Sequence, residues 1–279
     1  MKRSFLALVL VAVTIASLVA CQRTAKPGIT VVTSTSLLAD ITQQVGGDAV
    51  RVVNLVPSSQ HPGNFDMKPS DIAKLAGADM LLLHGFPGET WAESLVASAG
   101  NESLVVEKVV VPGNWMTPAV QLQATEKVAE ILSRLDPQNA DRYRGAADAR
   151  KGMITAKETE LKARINKAGI AGVSAISADV QAGFVTWAGV NVAATYGAPE
   201  SLTPQAVRTL IDKAKAGNVT LVVDNLQSGA EAGKGLAEEL GAARVILSNF
   251  PGGLAGTETW EKAIDRNVDL LIAAQQTGK

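Results

Sequence analysis

Residues 137–167 contain no proline after the first position and only two glycines, Gly145 and Gly152. Ala140, Ala147, Ile154 and Leu161 recur every seven residues, with Tyr143 and Ile165 beside them on the same helical face. At about 1.5 Å per residue, this run makes a helix of ~46 Å. That is longer than one small domain accommodates, so the run reads as a strut between two halves of the molecule. A pair of shorter helices broken near Gly152 is the competing reading.

The flanking sequence fits two such halves. On the N-terminal side, 29–33 and 50–56 are β-branched runs bounded by turn formers, and 80–83 is a short apolar run. Between them, 37–45 and 70–75 have helical spacing, the second opened by Pro69-Ser70-Asp71. A further helix at 118–134 ends at Asp136-Pro137. The pattern restarts after the strut, with strands at 172–176, 190–194, 219–223 and 244–247. Helices follow at 203–216, 230–240 and 257–275, the first opened by Thr203-Pro204. Trp91 and Trp260 fall on helices as core residues. Alternating buried strands and helices imply parallel sheets. The fold class is therefore α/β: two lobes, each a mostly parallel sheet flanked by helices, joined by one long backbone helix. The N-terminal lobe spans 29–135, the linking helix 136–167 and the C-terminal lobe 168–279, a length suited to two domains.

The first residues form an address. Met1-Lys2-Arg3 is positive and 4–20 is uncharged, its apolar part shorter than the ~20 residues of a spanning helix. That is the pattern of a secretory signal. Leu18-Val19-Ala20-Cys21 resembles the bacterial lipoprotein box, which implies cleavage before Cys21 and acylation of its sulfur. Residues 1–20 are then a lipoprotein signal peptide and 21–28 a lipidated tether; an ordinary signal peptide with a chance cysteine is the alternative. The expected location is extracytoplasmic, anchored to a bacterial membrane.

Composition narrows the function. Lys plus Arg number 26 against 27 Asp plus Glu, a balance that argues against a nucleic-acid partner. No Gly-x-x-x-x-Gly-Lys-Ser/Thr run or Gly-x-Ser-x-Gly elbow occurs, so neither an ATPase nor a serine hydrolase is expected, and the chain reads as no enzyme. With one cysteine and two histidines, a zinc site of three or four Cys/His ligands is hard to build.

Several strings occur in a definite order: Gly46-Gly47-Asp48-Ala49-Val50, Pro69-Ser70-Asp71, Ala78-Asp79, Gly88-Glu89-Thr90-Trp91 and Leu135-Asp136-Pro137. With the lipobox, they make the chain resemble the zinc/manganese family of ABC-transporter solute-binding lipoproteins over residues 29–274. The resemblance implies ligand held between two lobes and delivered to a membrane permease. It also implies where metal ligands would fall, and there the chain departs. The usual Pro-His-x-Tyr-Glu aligns with Pro62-Gly63-Asn64-Phe65-Asp66, and the usual Pro-His-x-Trp-x-x-Pro with Pro112-Gly113-Asn114-Trp115-Met116-Thr117-Pro118. The third motif, His-x-x-Phe, aligns with Gln181-Ala182-Gly183-Phe184, and the final aspartate falls near Ser248-Asn249.

Glycines and amides thus replace imidazoles. The expected ligand-binding set is Gly63, Asn64, Gly113, Asn114, Trp115, Gln181, Phe184, Asp224, Asn225, Asn249 and Phe250, with Gln227 and Trp187 nearby. Aromatic walls with a few amides suit an organic solute or a metal chelate better than a bare ion. The alternative is direct zinc or manganese binding through His61 and His84, each just past a strand, with Asp66 or Asp224 adding oxygen. No resident cofactor is expected. The partners are a permease, the membrane through its anchor, and a small-molecule or metal ligand.

Overall fold

The computed structural model describes residues 28–86 and 88–277. The signal peptide, Cys21 and all but the last residue of the tether lie outside the described residues. The first half runs β1 (Ile29–Thr33), α1 (Ser36–Gly46), β2 (Val50–Asn54), α2 (Pro69–Ala76), β3 (Met80–Leu83), α3 (Trp91–Ala99) and β4 (Val105–Lys108). Two helices follow, α4 (Pro118–Leu135) and α5 (Ala140–Ala168). The second half runs β5 (Ser174–Ala178), α6 (Asp179–Trp187), β6 (Asn191–Tyr196), α7 (Pro204–Ala216), β7 (Leu221–Asn225), α8 (Leu226–Gly229), α9 (Lys234–Leu240), β8 (Ala243–Leu247) and α10 (Trp260–Thr277).

Each half forms a four-stranded sheet, ordered β2-β1-β3-β4 and β6-β5-β7-β8. All neighbouring strands are parallel. The two sheets share one strand order, although no repeat is evident in the sequence. Inner strands are covered on both faces, so all four residues of β3 are buried and the strand reads as an unbroken apolar run. At the edge, β4 exposes Val105 and Val106 and carries Glu107 and Lys108, a pattern that assigned no strand in advance. Helix α6 was likewise not anticipated, and the helix expected over 230–240 starts later, as α9 at Lys234, with the short α8 ahead of the expected range.

The strut is continuous: α5 runs 29 residues without a break at Gly152. Gly145 and Gly152 both face solvent, and a methyl group added at either would meet nothing. Tyr143, Ala147, Ile154, Leu161 and Ile165 form its buried stripe, and the helix stops at Gly169 in the left-handed conformation. Ile154, Leu161 and Ile165 each contribute about 1.5–3 kcal/mol by leaving water. Arg150 lies in the same stripe with its side chain 1% exposed. Its guanidinium donates to Thr125 Oγ1 at 2.6 Å and Gln121 Oε1 at 2.9 Å on α4, and lies 3.5 Å from Asp40 Oδ2 on α1. Asp40 also accepts from the Trp260 backbone N–H at 3.2 Å, tying in α10. One apolar cluster runs from Val31 and Met80 of the first sheet, through α4 and α5, to Leu221 and Val245 of the second. Separate clusters fill the far side of each sheet.

Candidate functional site

In both sheets the second strand lies on one side of the first, and the third and fourth on the other. Chain direction across the sheet reverses there, and the loops at the strands' C-terminal ends part to leave a crevice. The C-terminal ends of the two sheets open on a shared cavity of about 250 Å³. One wall comes from residues past β1 (Leu37), β2 (His61, Pro62), β3 (His84, Phe86) and β4 (Gly113, Asn114, Trp115). The other comes from Val180 past β5, Asn225 ending β7 with Gln227 and Ser228 after it, and Asn249 and Phe250 past β8.

The first wall is largely aromatic. Phe86 stands edge-on to both histidines, with centroids 6.1 Å from His61 and 5.8 Å from His84. The His84 ring lies tilted on Trp115 at 3.9 Å, and its Nδ1 is 3.2 Å from Thr35 Oγ1. The His84 and Gly85 backbone N–H groups donate to the buried Glu89 carboxylate at 3.0 and 2.6 Å, which fixes the turn after β3. Burial pushes the His84 imidazole down to about 3, so the ring is neutral. His61 Nδ1 accepts from the Gly63 backbone N–H at 3.0 Å. Burial also lowers the His61 value, with Asp179 on the opposite lobe partly offsetting the effect.

The second wall is a set of amides, each oriented by backbone. Asn225 caps α8, its Oδ1 accepting from Gln227 N at 3.0 Å and Ser228 N at 2.8 Å. Gln227 Oε1 accepts from Asn249 N at 3.1 Å, while its Nε2 donates to Ser58 O of the first lobe at 2.8 Å. Asn114 crosses the other way: Nδ2 donates to Val180 O at 2.8 Å and to Asn249 Oδ1 at 3.3 Å. Ser36 Oγ donates to Pro251 O at 2.8 Å, a further bond between lobes.

Of the residues expected from sequence, Gly113, Asn114, Trp115, Asn225, Asn249, Phe250, His61 and His84 meet at this cavity. Gly63 and Asn64 are exposed on the turn beside it, as is Asp66. Gln181 and Phe184 are fully buried in the second lobe and do not line the cavity; the preceding residue, Val180, does. Asp224 requires correction as a pocket-edge or ligand residue. Strand side chains alternate faces, so Asn225 turns to the cleft and Asp224 away from it. Asp224 is fully buried, pairs with Arg244 Nε at 2.6 Å and accepts from the Tyr196 hydroxyl at 2.6 Å and Gly233 N at 2.7 Å. Neither Asp66 nor Asp224 therefore joins the two histidines, and Asp179 acts on His61 only through its charge. Among the described residues, no group of three or more His, Cys, Asp or Glu is placed to hold a metal ion. Phe86 was missed, since a lone aromatic in a His-Gly-Phe-Pro turn shows no periodicity, although its place after β3 was a usable signal.

Comparison with known proteins identifies the family and the fold. The sequence profile described as "Zinc-uptake complex component A periplasmic" matches residues 31–274. The iron-binding protein YfeA of Yersinia pestis is 25% identical over 271 aligned residues, covering 86% of this chain and 84% of the relative. The metal ABC transporter substrate-binding lipoprotein ScbA of Streptococcus cristatus is 26% identical, covering 76% and 78%. The fold is shared with the solute-binding protein FpvC of Pseudomonas aeruginosa, solved with Mn²⁺ (TM-score 0.77, 21% identity, 90% of this chain and 100% of that one). It is shared too with a Mn-bound periplasmic metal-binding protein of Candidatus Liberibacter asiaticus (TM-score 0.74, 20% identity, 88% and 98%).

Proposed function

The chain belongs to the periplasmic zinc-uptake complex component A family, and from that premise we propose that it is the extracytoplasmic solute-binding lipoprotein of an ABC importer, carrying an organic solute or a metal chelate rather than a bare ion. The family as a whole consists of substrate-binding components of metal ABC transporters. The finer reading rests on the donor set of the cavity: two imidazoles and four amides among aromatic walls, with no carboxylate lining it. A tetrahedral zinc site takes about four protein donors, or three and a water. A volume of about 250 Å³ approaches the small end of organic-ligand pockets, about 300 Å³, and far exceeds one ion.

Cargo touching both walls favours the closed arrangement of the lobes, and the closed form is the one that docks on the permease. Acylation of Cys21 would keep the protein beside that permease. Direct Zn²⁺ or Mn²⁺ binding is the second reading, favoured by His61 and His84 reaching the same cavity and by the zinc of the family's description and the manganese of a relative's. Native mass spectrometry of protein from its own host is expected to reveal a bound small molecule or complex. Calorimetry with Zn²⁺ and Mn²⁺ decides the other way if binding is tight, stoichiometric and abolished in the His61→Ala, His84→Ala double variant.

A further inference from the structure

The amides facing the cavity are held in fixed orientations by the hydrogen bonds they already make. Asn225 Oδ1 already accepts two backbone N–H groups, so its Nδ2 side is fixed; Nδ2 gives one hydrogen to Gln227 Oε1 at 3.3 Å and keeps one. Gln227 is used at both ends, Oε1 by Asn249 N and Asn225, Nε2 by Ser58 O and Ser248 Oγ. Asn249 Nδ2 donates to Val180 O at 3.1 Å, which fixes its orientation, and keeps its second hydrogen, while its Oδ1 accepts from Asn114. Asn114 Oδ1 accepts from Met116 N at 2.8 Å. His61 Nδ1 accepts from a backbone N–H, which cannot itself accept, so the neutral ring carries its proton on Nε2. Backbone oxygens of Pro62, Phe86, Trp115 and Val180 are likewise engaged. The His84 ring, against the Thr35 hydroxyl, and the Ser228 hydroxyl keep either role.

The hydrogens left to meet a ligand are His61 Nε2–H from one lobe and one each on Asn225 and Asn249 Nδ2 from the other, beside the second lone pairs of the Asn114 and Asn249 oxygens. N–H groups call for oxygen lone pairs and repel a cation. Yet among the described residues the lining contains no Lys or Arg to neutralise an anion and no Asp or Glu, Asp179 acting on His61 from outside it. Burying a net charge without a partner is costly. Both conditions are met by a ligand whose outer oxygens carry little net charge. We infer that the cargo presents carboxylate or carbonyl oxygens to these three N–H groups and brings its own charge compensation, as a metal ion wrapped in a small carboxylate does. The cavity holds roughly eight waters' worth of volume, which suits a compact complex. This inference deepens the reading of the protein as a carrier of organic solute or chelate and rests on it.

The test is ¹⁵N NMR of the histidine side chains in the mature protein, titrated separately with citrate, zinc citrate and zinc chloride. The free protein is expected to show His61 protonated on Nε2. Zinc citrate is expected to shift that signal and saturate, with citrate alone at least tenfold weaker because its charge is uncompensated. Asn225→Asp keeps the helix cap but replaces the free N–H with an oxygen, and is expected to lower zinc citrate affinity tenfold or more. If citrate alone binds as tightly as zinc citrate, the free acid is the cargo and the charge-compensation half of the inference is wrong. If neither citrate form shifts His61, the inference fails. If a co-purified organic molecule binds wild type and Asn225→Asp equally, the inference fails while the carrier reading stands. Zinc chloride alone displacing the Nε2 proton of His61 overturns both.

Discussion

At the scale of single residues, His84 links the cavity to the stability of the fold. Its folded value near 3 lies below the ~6.5 of an exposed imidazole. The unfolded chain therefore takes up a proton that the folded one refuses. The stability involved is intact above pH ~6.5 and is lost as pH falls toward 3, at up to about 1.4 kcal/mol per pH unit. Between pH 7 and 5 this group removes about 2 kcal/mol. Urea unfolding at both pH values should show a drop that His84→Gln reduces by that amount. The same scale shows what sequence conveyed about the site. Strand ends pointed to His61, His84 and Asn225, because parallel sheets aim those ends at one crevice, and the motif resemblance pointed to Asn249. Asp224 is one residue out of phase with Asn225, since strand side chains alternate faces, and Gln181, placed by the motif resemblance, is buried one residue past the cavity-lining Val180. The proton position on His61 is visible only once the Gly63 N–H is seen against its ring.

At the scale of elements, α5 makes a direct test. Its solvent-facing Gly145 and Gly152 have helical backbone and open space, so the flexibility of glycine only favours the unfolded chain there. Gly145→Ala and Gly152→Ala should each add about 0.5–1 kcal/mol. Thermal melting should rise by about 1–4 °C per substitution, and a fall would mean that the helix bends at these positions. The seven-residue apolar repeat made this helix legible, and Arg150 escaped notice because a cation in a buried stripe contradicts the pattern it sits in. The buried strands were legible for the same reason, as β-branched runs between turn residues. Edge strand β4 and helix α6 were not: β4 mixes charge into its run, and α6 begins directly where β5 ends, with no linker to separate the periodicities.

At the scale of the whole molecule, the lobes are joined across the cleft by their own side chains: Asn114 to Val180 and Asn249, Gln227 to Ser58, and Ser36 to Pro251. Each bond is worth about 0.5–1.5 kcal/mol net, or roughly 2- to 12-fold in the closed-to-open ratio. The Ser36→Ala, Asn114→Ala double variant should therefore open without ligand, measured as a larger radius of gyration by small-angle X-ray scattering; an unchanged radius would mean that packing alone sets closure. Beneath these bonds, the apolar cluster that passes from one sheet through α4 and α5 to the other carries its own consequence. A chain severed near its waist yields two fragments that each bare half of a shared interior, so neither is a unit that evolution or an engineer can exchange freely. What can be exchanged is the thin shell of loops at the rim, where a different cargo is adopted without reopening the seam that holds the body together.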